Sequence, residues 1–225
     1  MRRLIVEPIA PAEASLRWAT GEERAAAARF APARAAAYLG WRALVRRELG
    51  ARTAIAYRET GAPILPEHPY SISVSHCRDR IAVMIADTRC GVDIERLDRR
   101  FAAILHRYLS PAEQQLSDDP RYTAVAWCAK ETLYKYAGVQ GADLLRDLCI
   151  DAVRFPERGP VPADDAVHAE AADGVLLPPG EPWSFGTIHA HCECVAQQET
   201  AAEARRELTL RFGCTEHHAL VWLPE

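Results

Sequence analysis

The chain has 225 residues, 49% apolar and 26% charged, a soluble globular composition that excludes a fibre or a disordered tail and is long enough for one large core or two small ones. A formal net charge of −4 excludes a general nucleic-acid binder, which needs a basic excess to neutralise phosphates. The apolar run after Arg2-Arg3 stops at Glu7-Pro8, too short for a signal peptide, and no stretch reaches the roughly 20 apolar residues that cross a bilayer.

A cytoplasmic protein that binds no membrane is therefore expected. Its seven cysteines, odd in number, read as thiols rather than as a disulfide framework.

In chain order, residues 22–29 and 33–49 are rich in Ala, Leu and Arg, contain no glycine but Gly40, and stop at Gly50; they predict two helices. In the second, Tyr38, Trp41, Leu44, Val45 and Leu49 recur at spacings of three and four, which predicts a buried stripe with arginines on the other face. Segments 54–57, 71–75 and 80–86 read as strands. The last alternates, as does 90–95, and the short turn 87–89 between them predicts a β-hairpin. Arg96, Asp98, Arg99 and Arg100 form a charged joint, and the chain divides there into lobes 1–98 and 99–225.

A short helix is expected over 101–108. Ser110-Pro111-Ala112-Glu113 opens another, with Ser110 as cap and Glu113 completing a capping box. A longer helix over 121–137 is closed by Gly138. The remainder, punctuated by Pro156, Pro160, Pro162, Pro178, Pro179 and Pro182, reads as strands and loops. The expected fold class is α+β with two similar lobes, since helices followed by strands recur in each half.

Three constellations carry chemistry. In Gly91-Val92-Asp93-Ile94-Glu95, residues two apart on a strand share a face, so Asp93 and Glu95 converge while Val92 and Ile94 point into the core. Such a pair suits Mg²⁺, which takes one or two carboxylates plus waters and substrate phosphates; alone, it is more often a solvated strand end. On the long helix, Trp127, Glu131 and Lys135 stand one turn apart on one stripe. An ordinary exposed ion pair would look similar, but Lys130 and Lys135 are the only lysines among 27 Lys and Arg residues. An ammonium is a compact charge suited to a phosphate oxygen. In Ser73-Val74-Ser75-His76, a strand ends on an imidazole that can donate to a phosphate oxygen.

Taken in this order, the three motifs resemble the 4′-phosphopantetheinyl transferases of the Sfp type over roughly residues 60–138. The resemblance implies two lobes related by a pseudo-twofold, with coenzyme A in the cleft between them. It implies Mg²⁺ on Asp93, Glu95 and Glu131, and coenzyme A contacts from Ser75, His76, Lys130 and Lys135. Either Glu131 or Glu113 would be the base for a serine of an apo acyl or peptidyl carrier protein. Adenosine 3′,5′-bisphosphate would leave, and the protein is expected to act as a monomer.

One departure stands out: Gly61-Ala62-Pro63 replaces the family's Gly-Lys-Pro, so either coenzyme A is held less tightly or another base, among Arg52, Arg58, Arg34 and Arg46, reaches the 3′-phosphate. Two other functions compete, a binding module that holds coenzyme A or a carrier without catalysis and a Mg²⁺-dependent phosphohydrolase. Arg99, Arg100 and Arg107 with Phe101, Ile104 and Leu105 read equally as a carrier-docking surface or, for the apolar three, as core.

His189-Ala190-His191-Cys192-Glu193-Cys194, with Cys214, His217 and His218, invites a zinc reading. Strand alternation opposes it, placing Ile188, Ala190, Cys192, Cys194 and Ala196 on one face and His189, His191 and Glu193 on the other.

Overall fold

The computed structural model describes residues 1–156, 174–194 and 205–223; Pro160, Pro162 and Ala196 lie outside them. The fold is α+β, as expected. The elements are β1 (Arg2–Pro8), α1 (Ala12–Ser15), α2 (Gly21–Ala27), α3 (Pro32–Leu49), β2 (Ala56–Tyr57), β3 (Pro63–Ile64), β4 (Ser71–His76), β5 (Arg80–Ala86) and β6 (Val92–Arg96). They continue with 3₁₀ segments Phe101–Arg107 and Glu113–Gln115, α4 (Tyr122–Ala137), β7 (Leu148–Arg154), β8 (Val175–Leu176), β9 (Ser184–Cys192), β10 (Arg206–Cys214) and β11 (His218–Trp222). The strands form a sheet of order β4-β5-β1-β8, a second of order β6-β11-β10-β9-β7, and a small β2-β3 pair.

The layers run helix, sheet, sheet, helix. Trp41, Leu44 and Val45 of α3 pack on Ile5, Ile81, Val83 and Ile85 of the first sheet. The opposite face of that sheet, through Leu4, Val6, Ala82 and Met84, meets Val92, Ile94, Leu220 and Trp222 of the second. The far face of the second sheet is covered by α4 through Val125, Ala129 and Leu133. Side chains this deeply buried contribute about 1.5–3 kcal/mol each, which fixes which face of β6 turns inward.

Three expectations need correction. The hairpin of 80–86 with 90–95 does not form: β5 already pairs with β1 along one edge and β4 along the other. With no free edge left, β6 crosses over and pairs with β11. The arginines of α3 are not all on a solvent face, because Arg42 and Arg46 are buried and share Glu23. Arg42 lies over the Tyr38 and Trp41 rings, 3.5 and 4.1 Å from their centroids, a stacking that a guanidinium can use inside a protein. Finally, the Ser110–Glu113 exchange exists, with Ser110 N–H donating to Glu113 at 2.7 Å and Glu113 N–H to Ser110 Oγ at 3.3 Å. It precedes only a single 3₁₀ turn, Glu113–Gln115, whose own N-cap is Ala112.

β1 was not legible as a strand. Its arginines sit at the edge of a segment whose Leu4, Ile5 and Val6 are buried. The long helix runs as expected and ends at Gly138, whose φ of 64° is the left-handed conformation that glycine tolerates at a helix end.

Candidate active site

The site is built where β6 passes between the sheets. Inward-turned Val92 and Ile94 leave Asp93 and Glu95 on the face toward α4. Close approach of the helix depends on Gly91: a Cβ there would stand 2.4 Å from the Thr132 carbonyl oxygen, so any other residue would push α4 off the strand. Thr132 Oγ1 in turn donates to the Val221 carbonyl at 3.1 Å.

The edge of β6 facing the first sheet has no strand partner, and β4 supplies hydroxyls in place of a ladder. Val92 N–H donates to Ser73 Oγ at 3.0 Å and Ile94 N–H to Ser75 Oγ at 3.3 Å. The period of two in Ser73-Val74-Ser75 thus matches the period of two in β6, and the edge is satisfied without pairing. Ser75 was expected at coenzyme A; its hydroxyl is instead spent on β6 and on Asp93.

Asp93 is 5% exposed. Its Oδ1 accepts from Ser75 Oγ at 2.6 Å and from Lys135 Nζ at 2.8 Å, and Lys135 also donates to the Val92 carbonyl at 2.9 Å. Its Oδ2 is buried with no hydrogen-bond donor among the described residues. The neighbouring Cys128 thiol goes to the Ala219 carbonyl at 3.6 Å. An unpartnered buried carboxylate oxygen costs several kcal/mol unless a cation or donor joins it.

Glu95, half-buried, pairs with Arg99 and accepts from the Trp127 indole N–H. Burial raises its pKa, and the Asp93 charge raises it further against the pull of Arg99. Glu131, one turn before Lys135 on α4, is raised likewise, first by burial and then by Asp93, with Lys135 opposing. Asp93, Glu95 and Glu131 therefore feel one another's charge, although their oxygens do not close within 4.8 Å as a preformed cluster among the described residues. Excess negative charge with only oxygen donors suits a hard divalent cation. His76 is exposed at the end of β4, near the same seam.

The other expected residues lie elsewhere. Lys130 is fully buried, its ammonium shared among Glu113 Oε1 at 2.5 Å, the Leu144 carbonyl at 2.8 Å and the Leu148 carbonyl. All three of its protons are used, so none remains for a phosphate. Burial lowers its pKa, with Glu113 opposing. Glu113 also accepts from Ile150 N–H at 2.8 Å and from Ser110 N–H. It is a structural anchor and not a free base.

Arg46 is equally committed, to Glu23, to the Trp18 carbonyl at 2.7 Å and to the Thr53 carbonyl at 3.2 Å. Arg34 stands 4.2 Å over the Phe30 ring at the start of α3; Arg52 and Arg58 are exposed. The apolar centre of the expected docking surface faces inward: Phe101 is buried and Ile104 and Leu105 pack on the α4 core.

Sequence reasoning missed the serine ladder and the sorting of the two lysines. The Ser-x-Ser repeat opposite Val-x-Ile was the available signal for the first.

Three carboxylates and a lysine thus share one strand–helix pair at the seam between the sheets. Comparison with known families finds a match over residues 89–173 to the 4′-phosphopantetheinyl transferase superfamily. The match spans Asp93, Glu95, Glu131 and Lys135; its last residues, 157–173, lie outside the described ones. No curated protein matches the chain. All seven cysteines are free, and no helix among the described residues is long and apolar enough to cross a membrane.

Proposed function

We propose that the protein moves 4′-phosphopantetheine from coenzyme A to a serine of an apo acyl or peptidyl carrier protein, as a Mg²⁺-dependent transferase of the Sfp type. The observation that carries this reading is the orphaned Oδ2 of Asp93, buried beside two carboxylates of raised pKa and one lysine. That donor set fits Mg²⁺, with Asp93, Glu95 and Glu131 as its protein ligands and Arg99 leaving Glu95 to admit it. Bound there, the ion would supply positive charge to the pyrophosphate oxygens.

The chain's own residues do the rest. Lys135, already anchored by Asp93 and the Val92 carbonyl, holds a point charge beside the leaving side of the pyrophosphate. Glu131 takes the proton of the carrier serine, whose oxygen bonds to the β-phosphorus as the bond to adenosine 3′,5′-bisphosphate breaks. With Glu113 committed to Lys130, Glu131 is the base of the two. His76, exposed at the rim, is positioned to bind an outer phosphate, with Arg34, Arg52 or Arg58 serving where Ala62 replaces a lysine. The two layers on either side of the seam, 1–98 and 99–225 in the main, are the two lobes of this reading.

Mass spectrometry of an apo carrier protein incubated with the enzyme, coenzyme A and Mg²⁺ tests it. The carrier gains the phosphopantetheine mass in the full mixture and not with chelator present. An unmodified carrier with coenzyme A cleaved would make the protein a phosphohydrolase; an unmodified carrier with coenzyme A bound and intact would make it a binding module.

A further inference from the structure

We propose that Cys77, Asp79 and His218 form a zinc site that clasps the turn after β4 to β11 across the seam between the two sheets. It is separate from the carboxylate site and independent of the transferase reading. Cys77 and Asp79 lie in the β4–β5 turn of the first sheet; His218 opens β11 in the second. Their ligand atoms all lie within 4.8 Å of one another.

Two of the three spacings are those of a tetrahedral ion. With Zn–S near 2.3 Å and Zn–N and Zn–O near 2.0 Å, sulfur and oxygen ligands stand about 3.5 Å apart and nitrogen and oxygen about 3.3 Å. Here Cys77 Sγ is 3.5 Å from Asp79 Oδ1, and His218 Nε2 is 3.2 Å from the same oxygen. A mixed S, N and O set of this kind selects a borderline-soft ion over Mg²⁺.

The surrounding charges leave the ion's place open. Arg96 at 3.1 Å and Arg80 at 3.6 Å both engage Asp79 through Oδ2, so Oδ1 is left facing the thiol and the imidazole. His218, 2% exposed, has its other ring nitrogen 3.4 Å from Thr215 Oγ1, a hydroxyl that also accepts from the His217 and His218 N–H groups and so fixes the ring's place. The remaining His-containing cluster, Asp151, His191 and Glu207, lacks this opening. There the guanidinium of Arg205 stands 3.4 Å from His191 Nδ1 and 2.8 Å from Glu207, where a cation would sit.

Binding balances simply. Cys77 releases its thiol proton to solvent as the S–Zn bond forms, and the Nε2–H that His218 donates to Asp79 Oδ1 is given up, the ring keeping its proton on Nδ1, as the N–Zn bond forms. One thiolate and one carboxylate then neutralise the 2+ charge. Burial raises the Cys77 thiol, so the proton is displaced by the metal and not lost beforehand.

The test uses the full chain stripped of metal, with Mg²⁺ in excess to occupy the carboxylate site, titrated with Zn²⁺ alone against a chromophoric chelator. One equivalent is expected to bind, and Cys77→Ser, checked for an unchanged circular dichroism spectrum, weakens it at least about tenfold. Co²⁺ in place of Zn²⁺ gives a thiolate-to-metal absorption band that disappears in Cys77→Ser. Failure of the wild-type chain to bind Zn²⁺ under these conditions overturns the site, as does a band that survives Cys77→Ser. Loss of binding in Asp151→Asn with retention in Cys77→Ser overturns it as well, placing the ion on the other cluster.

Discussion

Lys130 and Lys135 stand on one helix, five residues apart, each against a buried carboxylate, yet their surroundings are opposite in kind. Lys130 spends all three protons on Glu113, Leu144 and Leu148, and Glu113 accepts from two backbone N–H groups besides. Lys135 remains partly exposed, and its partner Asp93 keeps one oxygen with no donor among the described residues. The first arrangement is closed; the second leaves an acceptor unused. What separates a structural ion pair from a functional one is whether its hydrogen-bonding capacity is used up.

The largest expected effect breaks the closed pair. Glu113→Gln leaves Lys130 as an uncompensated buried charge and costs about 3–5 kcal/mol of stability, measurable by urea unfolding; a loss under about 1 kcal/mol would mean the pair contributes little. At the open pair the signs reverse. Asp93→Asn is expected to cut transfer to a carrier protein about 10²–10³-fold, the scale of losing one electrostatic stabiliser, while unfolding free energy stays within roughly 1 kcal/mol of wild type. Full activity in that variant would remove Asp93 from the chemistry.

Lys135→Arg sharpens the same contrast with a smaller effect. A planar fork does not replace a point charge between Asp93 and the Val92 carbonyl, so kcat falls by about tenfold. An unchanged kcat would show that any cation serves there.

Proton linkage gives a subtler signature. Glu95 and Glu131 are raised in the folded chain, by burial first and then by neighbouring charge. The folded state therefore holds more protons than the unfolded one just above the ordinary carboxylate range, and metal-free stability falls as pH rises through that interval. Mg²⁺ is expected to raise Tm more at pH 8 than at pH 5. Equal shifts at both values would uncouple the two glutamates from the ion.

The smallest effect concerns the partner. Arg100 and Arg107 are exposed, whereas Arg99 belongs to Glu95. Arg100→Glu should raise the KM for an acidic carrier a few-fold and leave coenzyme A affinity unchanged; Arg99→Glu should instead alter the Mg²⁺ requirement. A reversed pattern would exchange the roles of the two arginines.

Much of the site was legible because it depends on local periodicity. Asp93 and Glu95 share a face by strand alternation, and Glu131 and Lys135 by the helical turn. What was hidden depends on contacts far apart in the chain. Nothing near Lys130 marks it as the buried lysine; its partners are Glu113 and two carbonyls that only the folded chain gathers. Arg42 and Arg46 look like surface residues by type and are buried because Glu23 reaches them from another helix. The expected β5–β6 hairpin failed for the same reason, since β1, some eighty residues upstream of its partner strand, had already taken the edge of β5. His218 was grouped with Cys214 by proximity in sequence, yet the structure sets it against Cys77 and Asp79.

The pairing of β6 with β11 also sets a clock. Val92 meets Trp222 in the register of those strands, a separation of 130 residues. At a synthesis rate of about 5–20 residues per second, the ribosome needs on the order of 10 s to make the stretch between them. During that time Asp93 and Glu95 exist in the nascent chain without the strand that holds them in line. The alignment of Asp93 with Glu95 is therefore an event that follows translation of β11.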